Sequence, residues 1–309
     1  MHRLRGLRAP RAVGRARVAA LLLVIALVAL VCAACESRST DAPSAGEPAA
    51  RMLVTAEYGA QVLLDEPVAP GRSVMAALRG ATQVRTEYGG GFVAEMFGLA
   101  SDAGAQRDWF LFADGLLSPV GAKDVSVDDG DVIWWDFRDW GALDDPWAVV
   151  GVWPRPFTGP APAVYADAPL ADALREAGAT LADDPAAPWR VRVGESADLA
   201  ARDPAWRGAL EDPAAAGLTA WVEDGAIVAL DASRGEALPV EGARAVIAAM
   251  PTGSFPEEGV LLVVAGLDEA AAAAAARALA DDPGLVRGAY AVALDGEGRV
   301  LRAGGRRAP

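Results

Sequence analysis

The stretch that decides the fold is DVIWWDFR, residues 131–138. Its alternation has a period of two residues, so one face of a strand would carry Ile133, Trp135 and Phe137 and the other would carry Trp134, Asp136 and Arg138. The first face is apolar, and we expect it to be buried in a core. The second face combines a large ring, a carboxylate and a guanidinium. We expect it to keep substantial exposure and to form a platform for a flat organic ligand.

Turn and cap residues upstream place this strand in a sheet with one helix. The aromatic run that begins at Trp109 ends at Asp114-Gly115, a dipeptide suited to the positive φ angles of a type I′ hairpin. Further upstream, two strands are predicted at Met52–Tyr58 and Gln61–Val68. Ser73 is expected to cap the helix that follows them, whose apolar side chains Val74, Ala77, Leu78 and Ala81 recur at helical spacing.

These segments together resemble the transcobalamin-like C-terminal domain, a family found in vitamin B12 carriers and in many bacterial lipoproteins. The resemblance covers about residues 52–140 and is carried by SVMAALRGAT (73–82), YGGGFV (88–93), MFGL (96–99), the hairpin at 109–115, SPVGAKD (118–124) and DGDVIWWDFR (129–138). It implies a β-grasp fold, in which one helix crosses a sheet. In the carriers, this domain closes over a corrinoid.

Three consecutive glycines in YGGGFV add a second candidate element of the site. Gly89, Gly90 and Gly91 would allow a ligand or a neighbouring strand to approach the backbone closely, and a bulge or turn explains them equally well. The predicted ligand-binding set therefore consists of Trp134, Asp136, Arg138, Trp140, Gly89, Gly90 and Gly91.

The N-terminus has the order of an export signal. Six Arg and no acidic residue precede an apolar run from Val18 to Val31, and CAAC places two small residues before Cys35. We predict a lipoprotein signal peptide at 1–34, a lipid on Cys35 and a flexible polar tether at 35–51. This arrangement would anchor the protein in the cell membrane on the extracytoplasmic face. An uncleaved membrane anchor is the alternative, although the apolar run is short for a spanning helix.

Composition excludes several classes of function. Removal of the signal leaves 22 Lys and Arg of the original 28 against all 42 Asp and Glu, so nucleic acid is not an expected partner. The single His is His2 and the two Cys are Cys32 and Cys35, so the mature chain lacks the residues of a Ser-His-Asp or Cys-His nucleophile and of a His- or Cys-ligated zinc site. Acid pairs before Pro indicate turns. We predict no enzyme activity, no metal site and no cofactor.

The remainder of the chain predicts a strap and a second domain. Five prolines and several large apolar residues in 141–162, hereafter the strap, indicate an extended segment that packs over the sheet or completes a ligand cleft. Residues 163–309 alternate helix and strand patterns, including caps at Ser196 and Asp203, a hairpin at Asp224-Gly225 and a buried strand at Val260–Val264. The predicted fold is an α+β β-grasp domain at 52–140, followed by an α/β domain with a mixed sheet.

Two functions fit these observations. The first is a non-enzymatic, membrane-tethered binding protein that captures a corrinoid or another vitamin-sized ligand for a transporter. The second is a cell-envelope protein–protein interaction module whose aromatic strap contacts a partner. Ligand binding at the predicted platform would distinguish them.

Overall fold

The computed structural model describes residues 50–141, 143, 146–160, 162–231, 236–255, 258–303 and 306–307. It is a mixed α/β protein with several sheets and few helices, and the described residues belong to one compact unit. The predicted signal peptide, Cys35 and the tether up to residue 49 lie outside the described residues. No helix in the described part is both long enough and apolar enough to cross a membrane.

The strands are β1 Ala50–Ala56, β2 Gln61–Val68, β3 Arg72–Ser73, β4 Val84–Glu87, β5 Phe92–Met96, β6 Leu99–Ala100, β7 Arg107–Ala113, β8 Leu116–Leu117, β9 Ser126–Val127, β10 Val132–Asp139, β11 Tyr165–Ala166, β12 Arg190–Glu195, β13 Ala220–Glu223, β14 Ala226–Asp231, β15 Glu236–Pro239, β16 Ala245–Pro251, β17 Val260–Gly266, β18 Val292–Leu294, β19 Val300–Ala303 and β20 Arg306–Arg307. The α-helices are α1 Val74–Ala81, α2 Leu170–Glu176, α3 Ser196–Arg202, α4 Pro204–Glu211 and α5 Glu269–Asp281.

The strand of DVIWWDFR lies at the centre of the first sheet. The strand order is β2-β1-β10-β7-β8, with β10 parallel to β1 and antiparallel to β7. The helix α1 covers one face of this sheet, where Val74 and Leu78 share a core with Trp135 and Phe137. The chain enters the sheet at Ala50, so the last two residues of the predicted tether, 50 and 51, belong to β1.

Local signals in the first sheet predicted its helix and hairpin correctly. Ser73 accepts the backbone N–H of Ala76 at 3.3 Å and caps α1, as expected from its position before the apolar periodicity. Asp114 and Gly115 adopt φ angles of 50° and 84°, and β7 pairs with β8 across them. Each signal depends on a few neighbouring residues, and the tertiary contacts of this sheet are compatible with both.

The second sheet has seven strands in the order β11-β12-β17-β16-β18-β19-β20. Helices α2 and α5 contribute to the core on one face, whereas α3 and α4 contribute to the core on the other. Every residue of β17 is buried, which confirms the continuous apolar strand predicted at Val260–Val264. The hairpin at Asp224-Gly225 is also confirmed, because β13 and β14 pair across it.

One predicted helix cap is wrong. Ser196 is the first residue of α3, and Glu195 occupies the cap position without a side-chain capping bond. The Ser196 hydroxyl instead accepts the indole N–H of Trp206 at 3.2 Å. Asp203 does cap α4 as predicted and accepts the N–H of Ala205 at 3.0 Å. The neighbouring sequence does not distinguish a serine whose hydroxyl binds an indole N–H ten residues away from a serine that caps a helix.

The strap contains no helix or strand among its described residues, and its large apolar side chains are mostly buried. Val149, Val150 and Phe157 are each 1% exposed. Val149 and Val152 pack on the sheet face that carries Trp134, whereas Trp153 and Phe157 belong to the core of the second sheet. The strap therefore packs against both sheets.

Candidate functional site

The predicted platform face of β10 is buried and is not exposed to solvent. Trp134, Asp136 and Arg138 are all 0% exposed, so the expectation that Trp134 and Arg138 keep substantial exposure is wrong. The alternation itself is correct, because Trp135 and Phe137 are buried on the opposite face against α1. The strap and Tyr290 pack onto the second face and seal it.

A fully bonded polar cluster occupies the middle of that sealed face. The Asp136 carboxylate accepts hydrogen bonds from the Thr55 hydroxyl at 2.6 Å, the Tyr290 hydroxyl at 2.9 Å and the backbone N–H groups of Tyr58 and Gly59 at 3.1 and 3.2 Å. Trp134 donates its indole N–H to the Thr55 hydroxyl at 2.7 Å. A buried carboxylate that accepts four hydrogen bonds is satisfied. This cluster therefore links distant parts of the chain structurally, and it is hereafter called the tie.

Burial shifts the ionisation of this cluster. Desolvation raises the pKa of Asp136, although the hydrogen bonds from Thr55 and Tyr290 act in the opposite direction. The pKa of Tyr290 is raised well above its ordinary value, first by burial and then by the neighbouring Asp136 charge. The Tyr290 hydroxyl therefore remains a donor, as its bond to Asp136 requires.

Aromatic contacts complete the sealed face. The ring of Tyr290 meets the rings of Tyr58, Trp134 and Phe112 at centroid distances of 5.3, 5.2 and 5.6 Å, all close to edge-on. Arg138 lies over the ring of Phe110 with its guanidinium carbon 3.7 Å from the centroid. These contacts leave the three predicted platform residues inside the protein.

Sequence reasoning missed Tyr290 and Thr55. Tyr290 is 154 residues from Asp136, and Thr55 is 81 residues from it. Neither lies in a motif, since a Tyr after Ala289 and a Thr in an apolar strand are ordinary residues of their elements. Only the parallel pairing of β1 with β10 places Thr55 beside Asp136.

The glycine segment and Trp140 lie apart from this cluster. Gly89 and Gly90 adopt φ angles of 72° and 89° in a short 3-10 turn, so the turn itself accounts for them. Trp140 follows β10 and is 40% exposed. Gly91 instead lines a cavity at the edge of the first sheet, together with Trp135.

That cavity is the best candidate site in the described part of the chain. It has a volume of about 280 Å³ and lies at the β8 edge of the first sheet. Its walls are mainly aromatic and apolar, and they include Gly91, Phe92, Trp109, Phe110, Leu117, Pro119, Trp135 and Trp147. Apolar cavities with a few polar groups are the usual form of small-molecule sites.

One wall residue offers an unused donor. Trp135 is 4% exposed, and its indole N–H has no hydrogen-bond partner among the described residues. The neighbouring Trp109 is satisfied, because it donates to the Leu99 carbonyl at 3.1 Å. Leaving a buried N–H unpaired costs about 1–3 kcal/mol, and this nitrogen is itself buried, so a ligand would reach it only if the surrounding side chains shifted.

Two chain segments that contribute to the cavity walls also carry exposed side chains. Tyr88 is 85% exposed and contacts Phe92 edge-on at 6.0 Å, and Val120, which follows Pro119, is 51% exposed. Lys123, the only lysine, lies against Gly91 and forms an exposed pair with Asp124 at 3.6 Å. The segments 88–92 and 117–123 thus combine apolar side chains with one cation.

Groups of potential metal ligands were sought among the described residues. No group of three or more His, Cys, Asp and Glu side chains within the described ranges is placed to hold a metal ion.

Comparisons with known proteins match a part of the first sheet to a family model. Residues 71–139 match a family described as a domain of unknown function, DUF4430. A comparison with curated proteins found no significant match.

Two solved structures are similar over part of the chain. One is the crystal structure of a "putative metal binding protein" from Ruminococcus gnavus ATCC 29149, with 16% identity, a TM-score of 0.24 and coverage of 29% of this chain and 96% of that one. The other is haptocorrin in complex with Cbi, with 14% identity, a TM-score of 0.26 and coverage of 34% of this chain and 28% of that one. The chain thus spans little more than a quarter of haptocorrin.

Proposed function

We propose that this protein is a non-enzymatic binding protein that captures a small planar molecule in the aromatic cavity beside Trp135. The observation that carries the proposal is the coincidence of aromatic walls with an unpartnered buried indole N–H. The rings favour a flat, apolar ligand through stacking and desolvation. The N–H would favour a ligand with a hydrogen-bond acceptor at its buried end, once the side chains that cover this nitrogen move aside.

The size of the cavity limits how much of a ligand enters it. Pockets for drug-sized ligands measure about 300–1,000 Å³, and this cavity of about 280 Å³ lies just below that range. A corrinoid would therefore insert one ring or side group and rest the remainder on the segments 88–92 and 117–123. A smaller vitamin-sized molecule would be enclosed more completely.

Tethering at the cell surface is part of the proposal. A β-grasp domain at 52–140, joined to a second α/β domain, would be held on the extracytoplasmic face by a lipid on Cys35. The bound molecule would then pass to a transporter. Mass spectrometry of the membrane-extracted protein tests the anchor, which requires a mature N-terminus at Cys35 that carries the lipid mass.

Calorimetric titration of the full chain with cobalamin, riboflavin and biotin tests the binding site. We expect saturable binding of at least one of them. Trp147→Ala removes a partly buried cavity wall and should weaken that binding about tenfold, from the loss of stacking and buried area. Trp135→Phe keeps a ring in place and removes the donor, which should weaken binding by about 1 kcal/mol.

Trp140→Ala is the matched control, because Trp140 is an exposed tryptophan that does not line the cavity. It should bind as the wild type does. Absence of saturable binding of all three compounds up to about 100 μM, a weak limit for a specific site, would overturn the small-molecule proposal. Equal losses in Trp147→Ala and Trp140→Ala would contradict this location of the site.

An envelope interaction module is the second candidate. The exposed Tyr88 and Val120, at 85% and 51% exposure, favour it, because a partner could insert a side chain into the cavity between the two segments. Genes for a vitamin transporter beside this one would favour the first function. Genes for secretion or wall assembly would favour the second.

A further inference from the structure

Three arginines line a second cavity, in the C-terminal half of the chain. Its volume is about 690 Å³, and its walls include Arg190, Arg192, Arg202, Asp203, Ala205 and Thr252. The whole chain has 28 Lys and Arg against 42 Asp and Glu, so a concentration of guanidinium groups runs against its overall charge.

Two of the arginines are buried and held rigidly. Arg190 is 7% exposed and makes a bidentate pair with Asp203, with Nε and Nη2 at 2.6 and 2.7 Å from the carboxylate oxygens. Arg192 is 6% exposed and donates Nε to Asp167 at 3.1 Å and Nη1 to the Pro185 carbonyl at 3.0 Å. Their carboxylate partners neutralise both charges and fix both planes.

The third arginine differs, because its charge is not compensated by a carboxylate within the described part of the chain. Arg202 is exposed and donates Nη2 to the Val193 carbonyl at 3.0 Å, and no carboxylate among the described residues lies within ion-pair distance of it. Its guanidinium lies against Gly194, where a Cβ atom would come within 2.7 Å of Nη2. An arginine has five N–H donors, so Arg202 has donors left for a ligand.

We propose that this cavity binds the phosphate group of a soluble, phosphorylated small molecule. A guanidinium fits the oxygens of a phosphate in a bidentate geometry, and Arg202 is the wall arginine without a carboxylate partner among the described residues. The volume falls within the usual range for small-molecule pockets, so it accommodates an organic portion as well as the phosphate. This proposal is independent of the aromatic cavity.

Besides Asp203 and Asp167, whose charges are paired with arginines, a third nearby carboxylate opposes an anion. Asp184 precedes the wall residues Pro185 and Ala186, and its side chain accepts the Ala186 N–H at 2.9 Å. Its negative charge should weaken the binding of a phosphate without blocking the cavity. Asp184→Asn removes the negative charge and keeps an acceptor for that N–H. It should therefore tighten the binding of a phosphate.

Calorimetric titration of the full chain with inorganic phosphate, pyrophosphate and adenosine monophosphate in low-salt buffer tests the site. We expect saturable binding that weakens as salt is added. Arg202→Gln should weaken it about tenfold, and Arg202→Lys should weaken it less because the charge remains. The matched control is Arg207→Gln, which removes the same charge from an exposed arginine that donates to the Ala200 carbonyl at 3.4 Å.

Each result decides the proposal. Loss of binding in Arg202→Gln with wild-type binding in Arg207→Gln supports it, provided that both variants melt at the wild-type Tm. Equal losses in the two variants, or no saturable binding of any probe up to about 10 mM, a very weak affinity, overturn it. Vesicles of phosphatidylglycerol form the last arm. Arg202-dependent association with them, without binding of the soluble probes, would overturn the assignment to a soluble ligand.

Discussion

The two faces of β10 are both buried, but they satisfy their polar groups differently. On the face toward the strap, Trp134 donates its indole N–H to Thr55, and the Asp136 carboxylate accepts four hydrogen bonds. On the face toward α1, the indole N–H of Trp135 has no partner among the described residues. The polar face is a tie between distant parts of the chain, whereas Trp135 on the apolar face lines the aromatic cavity. Adjacent tryptophans in one strand thus have different roles.

Asp136→Ala should give the largest effect on stability. Loss of the carboxylate leaves the Tyr290 hydroxyl and two backbone N–H groups without their acceptor and leaves the Thr55 hydroxyl only the Trp135 carbonyl at 3.4 Å, which should cost about 3–5 kcal/mol of unfolding free energy. Urea unfolding of the full chain measures the change. Asp129→Ala, at an exposed position three residues before β10, is the control and should change stability by less than about 0.5 kcal/mol. A cost below about 1 kcal/mol for Asp136→Ala would contradict the tie.

Replacement of each tryptophan by phenylalanine sharpens the contrast between the faces. Both changes remove buried area, but only Trp134→Phe also breaks a hydrogen bond, the 2.7 Å bond to Thr55. We expect Trp134→Phe to cost about 1 kcal/mol more than Trp135→Phe in the same urea measurement. Equal costs, or a larger cost for Trp135→Phe, would mean that the Trp135 N–H is satisfied in the folded protein.

The smallest expected effect is a pH dependence of stability that arises at the β7–β8 hairpin of the same sheet. Burial raises the pKa of Asp114 to about 6, against the opposing effects of the Val132 N–H and Arg155. Because the pKa is higher in the folded state than in the unfolded state, the folded protein prefers the protonated carboxyl. Stability from this group is present at low pH and is lost as pH rises through about 6.

Asp114→Asn should remove that dependence. Between pH 5 and 7.5, the unfolding free energy of the wild type should fall by about 1 kcal/mol more than that of the variant. Asn keeps an acceptor for the Val132 N–H and tolerates the positive φ at this turn, so the fold should persist. Parallel pH profiles for the two proteins would show that Asp114 titrates normally in the folded state.

Local pattern determined much of the fold in advance. The cap at Ser73, the hairpins at Asp114-Gly115 and Asp224-Gly225, and the assignment of Trp135 to a core face all follow from neighbouring residues. These predictions succeed because each depends on backbone geometry within a few residues. The cavity could be predicted only in part, since Gly91 and the Trp-rich segments are visible in the sequence but their convergence is not.

The sequence by itself determined which side chains of β10 share a face, because a strand has a period of two residues. Only the tertiary structure decided what covers each face. Tyr290 reaches Asp136 from 154 positions away, and the strap packs between the two sheets, so a face with a carboxylate and a guanidinium became interior. The physical reason is that burial depends on contacts between distant segments, and buried charge is tolerated once donors arrive to satisfy it.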